Sequence, residues 1–241
     1  MSKFVSRSKV QAIPRIHVVG LPRSGTTSFA RSLAGRMDLP YIEEPIFIWS
    51  NRFKTSIGDR LSVLDVQGIR KDISHLSKMF PMGYVEKTPH SIYLSDYFDE
   101  ILEGTIVIIL VRDLHEIVSS LNRKVFDNND PNASAPLWFH NLSVRFQKMF
   151  TMIRLAGPVK TAFLLFHAVS WLKKNSILRM SNAELEKRMN NASRKLSSFA
   201  NRSDLPTVVL TVDYRDYKND NELTIENLVE DIRKLTLASH V

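Results

Sequence analysis

Arg23, Thr26 and Thr27 stand with Pro22, Ser24 and Gly25 in the stretch Gly-Leu-Pro-Arg-Ser-Gly-Thr-Thr, residues 20–27. Their types suit anion binding. Glycines let several backbone N–H groups converge on one point, and a helix that begins there adds the positive end of its dipole. Gly20 and Gly25 keep the GxxxxG spacing of a nucleotide phosphate loop, but the next position, where the triphosphatase signature requires Lys, holds Thr26. The loop's cation stands earlier, at Arg23. This pattern argues against an ordinary ATPase or kinase and leaves phosphate binding intact.

Further groups recur at strand ends. "YIEEP" (41–45) carries the adjacent carboxylates Glu43 and Glu44, and "EKTPHSIYL" (86–94) carries Lys87 and His90. "VRDLHEIVSS" (111–120) closes a strongly apolar run with Arg112 and places Ser120 eight residues further on. A guanidinium fork with a nearby hydroxyl is a phosphate-binding pair. A carboxylate at the carboxyl end of a strand is placed to act as a base.

Together these stretches resemble sulfotransferases that use 3′-phosphoadenosine 5′-phosphosulfate (PAPS), whose fold is the P-loop kinase-like α/β type. "PRSGTT" (22–27) is similar to their 5′-phosphosulfate loop, and Arg112 with Ser120 to their 3′-phosphate element, although Leu114 stands where the family often has Pro. Glu44 lies at the distance from Arg23 at which tyrosylprotein sulfotransferases and relatives keep an acceptor base; Glu43 and His90 are its alternates. Lys87 matches the family's Lys-x-Pro segment and would stabilise charge on the transferring group, with Glu86 facing the other way. "LTVDYRDYKND" followed by a helix is similar to the family's last strand and closing helix. The Arg-Lys-Gly loop of cytosolic steroid and phenol sulfotransferases has no counterpart, so the resemblance points to the bacterial, carbohydrate and tyrosylprotein branch.

The resemblance implies in-line transfer of a sulfuryl group from PAPS to an acceptor hydroxyl or amine, with adenosine 3′,5′-bisphosphate as product. The amides of residues 24–27 and the Thr26 and Thr27 hydroxyls would grip the phosphosulfate. Arg23 and Lys87 would replace a metal, and Glu44 would take the acceptor proton. Two other functions stay open: a P-loop kinase of a small metabolite, and a non-enzymatic binder of polyanions.

The elements that must hold these residues alternate. Strands are expected at 15–20, 83–88, 105–112 and 207–214, and helices at 26–37, 91–102, 115–126, 182–200 and 222–235. Such alternation implies a parallel sheet covered on both faces, and the run Ile106 to Val111 suits its centre. Residues 128–137 read as a loop. A helical subregion over 137–203 follows, with apolar stripes at Leu142, Phe146, Met149, Phe150 and Ile153 and at Leu164, Ala168, Trp171, Leu172 and Leu178; acceptor recognition is expected there. Trp49, Trp138 and Trp171 read as core.

At 241 residues and 44% hydrophobic, the chain suits one sulfotransferase-type α/β domain with a basic tail over 1–14. Its net charge of +8 favours an anionic partner, while the pairs Lys173-Lys174, Lys187-Arg188 and Arg194-Lys195 read as solvated helix faces. No nucleic-acid-binding motif is present. The chain has no Cys, no signal peptide and no apolar run long enough to span a membrane, so a cytoplasmic protein is expected, and its four Asn-x-Ser sequons carry no weight.

Overall fold

The computed structural model describes residues 14–21, 23–43, 63–127, 182–201 and 207–238. Five strands form one parallel sheet: β1 (Arg15–Val19), β2 (Tyr41–Glu43), β3 (Tyr84–Lys87), β4 (Ile106–Val111) and β5 (Val208–Asp213), in the order β2-β3-β1-β4-β5. The helices are α1 (Thr26–Met37), α2 (Val63–Met79), α3 (Phe98–Ile101), α4 (Leu114–Asp127), α5 (Asn182–Ala200), α6 (Tyr214–Asn219) and α7 (Asn221–Ala238), and a 3₁₀ helix covers Pro89–Tyr97. The expected α/β architecture, a P-loop-type parallel sheet flanked by helices, is the one observed.

The pattern of the strands explains the order. All of Ile16–Val19 and Ile106–Leu110 are buried, as strands covered on both faces must be, and they pair at the centre of the sheet with Ile16 opposite Ile106. On one face Ile16, Val18, Val85, Ile108 and Leu210 pack against Phe29 and Leu33 of α1 and Leu228 and Ile232 of α7. On the other, Val19, Ile42, Tyr84, Val107, Ile109 and Val209 meet Ile69 and Leu76 of α2, Phe98 of α3, and Leu196 and Phe199 of α5. Each such large apolar side chain contributes about 1.5–3 kcal/mol by leaving water.

Three elements differ from the sequence expectation, one being α6 (Tyr214–Asn219), which begins at the residue expected to end the last strand. The helix expected over 91–102 is a 3₁₀ helix followed by one α turn, because Pro89 opens it and the buried Ser91 donates to the Thr88 carbonyl at 2.6 Å, tightening the entry. A helix over 63–79, not anticipated, covers the sheet through Val66, Ile69, Ile73 and Leu76. The stripes between 142 and 178, the loop 128–137, residues 1–13 of the basic tail and the three Trp residues lie outside the described residues. Among the described residues no helix is long and apolar enough to cross a membrane.

Candidate functional site

Because all five strands run the same way, their carboxyl ends collect on one edge, and expected residues stand there: Glu43 on β2, Lys87 on β3, the loop after β1 and Arg112 after β4, joined by Tyr214 after β5, which was not expected. The loop is built by steric exclusion. A Cβ on Gly20 would come within 2.8 Å of the Leu110 carbonyl oxygen and 2.7 Å of the Ser24 hydroxyl, so only glycine fits. Gly25 adopts φ 87° and precedes α1, whose first turn holds no acidic residue and whose N-cap supplies no side-chain bond. The first amides of α1, those of Thr26, Thr27 and Ser28, have no acceptor within their own helix. Ser24 is fully buried, and its Oγ has no hydrogen-bond partner among the described residues. An orphan hydroxyl beside free amides at a helix start is a cradle that an anion would complete. The amide of Ser24 takes no part, since it donates to the Leu21 carbonyl at 3.0 Å, so the expected set of amides from 24 to 27 loses its first member.

Arg23 is the unusual residue of the loop. Its φ of 71° lies in the left-handed region, which costs a non-glycine residue about 1–2 kcal/mol. Two contacts offset that strain. Arg112 donates from Nη1 to the Arg23 carbonyl at 2.8 Å, and Arg23 donates from Nε to the Ser120 hydroxyl at 3.3 Å. The structure therefore brings Arg23, Arg112 and Ser120 together, with the Arg23 side chain on the Ser120 side. Arg112 is further engaged: its Nε donates to Glu116 at 2.9 Å, and its guanidinium lies 4.4 Å from the centre of the Tyr214 ring. Sequence reasoning missed Glu116 and Tyr214. The i,i+4 spacing of Arg112 and Glu116 could have indicated the first; the second depends on a contact between distant parts of the chain.

Lys87 is 5% exposed and its Nζ lies 3.9 Å from the Glu43 carboxylate, which also accepts from Arg31 at 2.8 Å. Register explains the pairing, since Glu43 and Lys87 are direct partners between β2 and β3. Arg31 also sits over the Tyr41 ring, 5.3 Å from its centre; burial, then the nearby Glu43 carboxylate, raises the Tyr41 pKa above its usual range. Glu86, one residue before Lys87, turns to the opposite face of the sheet. There it receives the Thr88 hydroxyl at 2.7 Å and meets Nδ1 of the buried His17 at 2.8 Å. Nε2 of His17 lies 2.8 Å from the hydroxyl of Ser91, which itself donates to the Thr88 carbonyl. This network fixes the end of β3 from below while Lys87 faces the other way. Pro22 and Glu44 lie outside the described residues, as does the side chain of His90.

A cavity of about 880 Å³ opens beside β5 between α5 and α7, lined among others by Leu21, Arg112, Ser197, Asp213, Asp220 and Asp231. Among the described residues it meets the loop and the arginine cluster at Leu21, Leu110 and Arg112. Its aspartates oppose an anion, so the loop and the arginines, not this cavity, form the candidate site. Among the described residues no group of acidic and histidine side chains could hold a metal ion.

No known family profile and no curated protein sequence matches the chain. Solved structures do. A shikimate kinase from Bacteroides thetaiotaomicron is 12% identical with a TM-score of 0.49, over 91% of this chain and 98% of its own. A gluconokinase from Sinorhizobium meliloti is 14% identical with a TM-score of 0.33, over 78% and 95%. A sugar kinase from Janibacter is 14% identical with a TM-score of 0.39, over 90% and 93%. At these scores the likeness carries no information on what this chain binds.

Proposed function

We propose that the protein transfers a sulfuryl group from PAPS to an acceptor hydroxyl or amine. The observation that carries this reading is the contact between Arg112 and the phosphate loop. Arg112 donates to the Arg23 carbonyl in the loop and the Arg23 side chain reaches Ser120, so a second group able to take an anion would lie next to the cradle of Gly20, Ser24 and Gly25, while the lysine of an ATP-binding loop is replaced by Thr26. A nucleotide with an anionic group at each end of its ribose fits two such points. PAPS supplies, when bound, an activated sulfuryl group on a phosphate leaving group.

The chain's own residues then have distinct tasks. The amides of Thr26 to Ser28 and the Ser24, Thr26 and Thr27 hydroxyls hold the 5′ end. Arg112 and Ser120 hold the 3′-phosphate, and Arg23, next to Ser120, adds charge there or turns to the 5′ end. Lys87, held by Glu43 close to the start of the loop, offers positive charge where negative charge grows during transfer. Glu44 is assigned the acceptor proton.

The second reading is phosphoryl transfer to a small metabolite, in keeping with the three similar structures described above, which are kinases. One experiment separates the two. In thermal-shift and calorimetric titrations of the full chain, adenosine 3′,5′-bisphosphate should stabilise and bind it without added metal, and ATP with Mg²⁺ should do so weakly or not at all. Stronger binding of ATP with Mg²⁺ overturns the sulfotransferase reading in favour of a kinase. Binding of a polyanion with neither nucleotide bound would overturn both.

A further inference from the structure

Tyr214 follows the last strand, at the first position of α6, where Asp213 caps the helix by accepting the Arg215 amide at 2.8 Å. Its ring touches the phosphate loop itself: a Cβ on Gly25 would lie 2.3 Å from Cε2 and 2.9 Å from Cδ2 of the ring. The face of the same ring carries the Arg112 guanidinium, 4.4 Å from its centre. Arg112 in turn donates to the carbonyl of Arg23, in the loop. The contacts form a closed circuit, from Gly25 to Tyr214 to Arg112 to Arg23 and back along the loop.

From this circuit we infer that Tyr214 is a positioning residue that sets the distance between the two anion-binding points, and that it thereby makes the site selective for a nucleotide with an anion at each end. The inference rests on the function proposed above. An arginine on a long flexible stem reads a phosphate at a fixed separation only if its guanidinium is held in place before the ligand arrives. The aromatic face holds it on one side and the loop carbonyl on another. Gly25 is required at the other contact, because any side chain there would displace the ring.

The test uses the full chain with Tyr214→Phe, which keeps the ring, and Tyr214→Leu, which removes it. The ligands are adenosine 3′,5′-bisphosphate and adenosine 5′-monophosphate, which differ only in the 3′-phosphate. Calorimetry should give Tyr214→Phe affinities within about twofold of wild type for both, whereas Tyr214→Leu should lose about tenfold for the bisphosphate and less than about threefold for the monophosphate. Equal losses for the two ligands in a folded Tyr214→Leu protein overturn the inference, because a general structural role would weaken both alike.

A second measurement needs no ligand. Hydrogen exchange of the bonded amides of Ser24, His115 and Glu116 should be faster in Tyr214→Leu by about tenfold and unchanged in Tyr214→Phe, and unchanged exchange in both variants overturns the inference. A wild-type chain that binds neither adenosine nucleotide refutes the proposed function instead, and the exchange result then decides alone whether Tyr214 fixes Arg112 to the loop.

Discussion

The Nη1 of Arg112 donates to the backbone carbonyl oxygen of Arg23 at 2.8 Å, so a residue just past the end of the fourth strand supports the strained residue of the loop after the first strand. Arg112 therefore has two effects to lose. Arg112→Ala should weaken adenosine 3′,5′-bisphosphate by roughly 10- to 100-fold, the worth of a charge-assisted phosphate contact. The 5′-monophosphate, which lacks that contact, should lose only the smaller part due to loosening of the loop. Calorimetry on both ligands checks this, and equal losses would remove Arg112 from the 3′-phosphate site.

Glu116 accepts from the same guanidinium at 2.9 Å, so a phosphate bound to Arg112 as proposed would compete with it. The pair is partly exposed and worth about 0.3–0.5 kcal/mol as a helical i,i+4 contact. Glu116→Gln should leave stability nearly unchanged and tighten bisphosphate binding by about two- to fivefold, because a competing negative charge is removed. Weaker binding would show that Glu116 orients Arg112 rather than competing for it.

For the acceptor proton, Glu44→Gln is expected to leave bisphosphate affinity within about twofold while turnover with labelled PAPS falls by roughly 10²–10⁴. Glu43 is already committed to Arg31 and stands beside Lys87. Glu43→Gln should therefore act through Lys87, with a smaller loss of turnover that varies with how far the lysine moves. Near-normal turnover of Glu44→Gln at saturating acceptor would make Glu43 or His90 the next base to test.

Tyr84 provides a test of the core that is independent of ligands. Burial pushes its phenol up to about 12, and the nearby Glu86 carboxylate adds to the shift. The folded state thus holds the phenolic proton more tightly than the unfolded chain does. Its contribution is complete below pH 10, the unfolded value, and is lost as pH rises toward 12, on the order of 2 kcal/mol in all. Urea unfolding should show this descent in wild type and a shallower one in Tyr84→Phe. Parallel curves would mean that Tyr84 does not titrate in this range.

Most of the architecture is legible in the sequence because burial on both faces leaves a direct trace: Ile106–Val111 reads as a central strand and is one. The helix at 63–79 carries a readable signal as well, Val66, Ile69, Ile73 and Leu76 at helical spacing, interrupted by enough polar residues to dilute it. The 3₁₀ segment was not legible, since its tight entry depends on the buried Ser91–Thr88 bond. Residue types and spacing singled out Arg23, Arg112, Ser120 and Lys87, and the fold brings the first three together at the carboxyl edge of the sheet. The partners of those groups were hidden. Tyr214 reads as part of a closing strand and helix, and only the fold sets its ring between Gly25 and Arg112.

The strand order also has a consequence during synthesis. β1 emerges first from the ribosome, yet both of its neighbours lie far ahead in the chain: His17 meets Glu86 69 residues later, and β4 follows later still. Until residue 111 has been made, the apolar surface of Ile16, Val18 and Val19 has no complete sheet to join. Non-local pairing of this kind is slow to form and leaves sticky intermediates. Truncations that end before β4 should therefore be recovered as insoluble or chaperone-bound nascent chains.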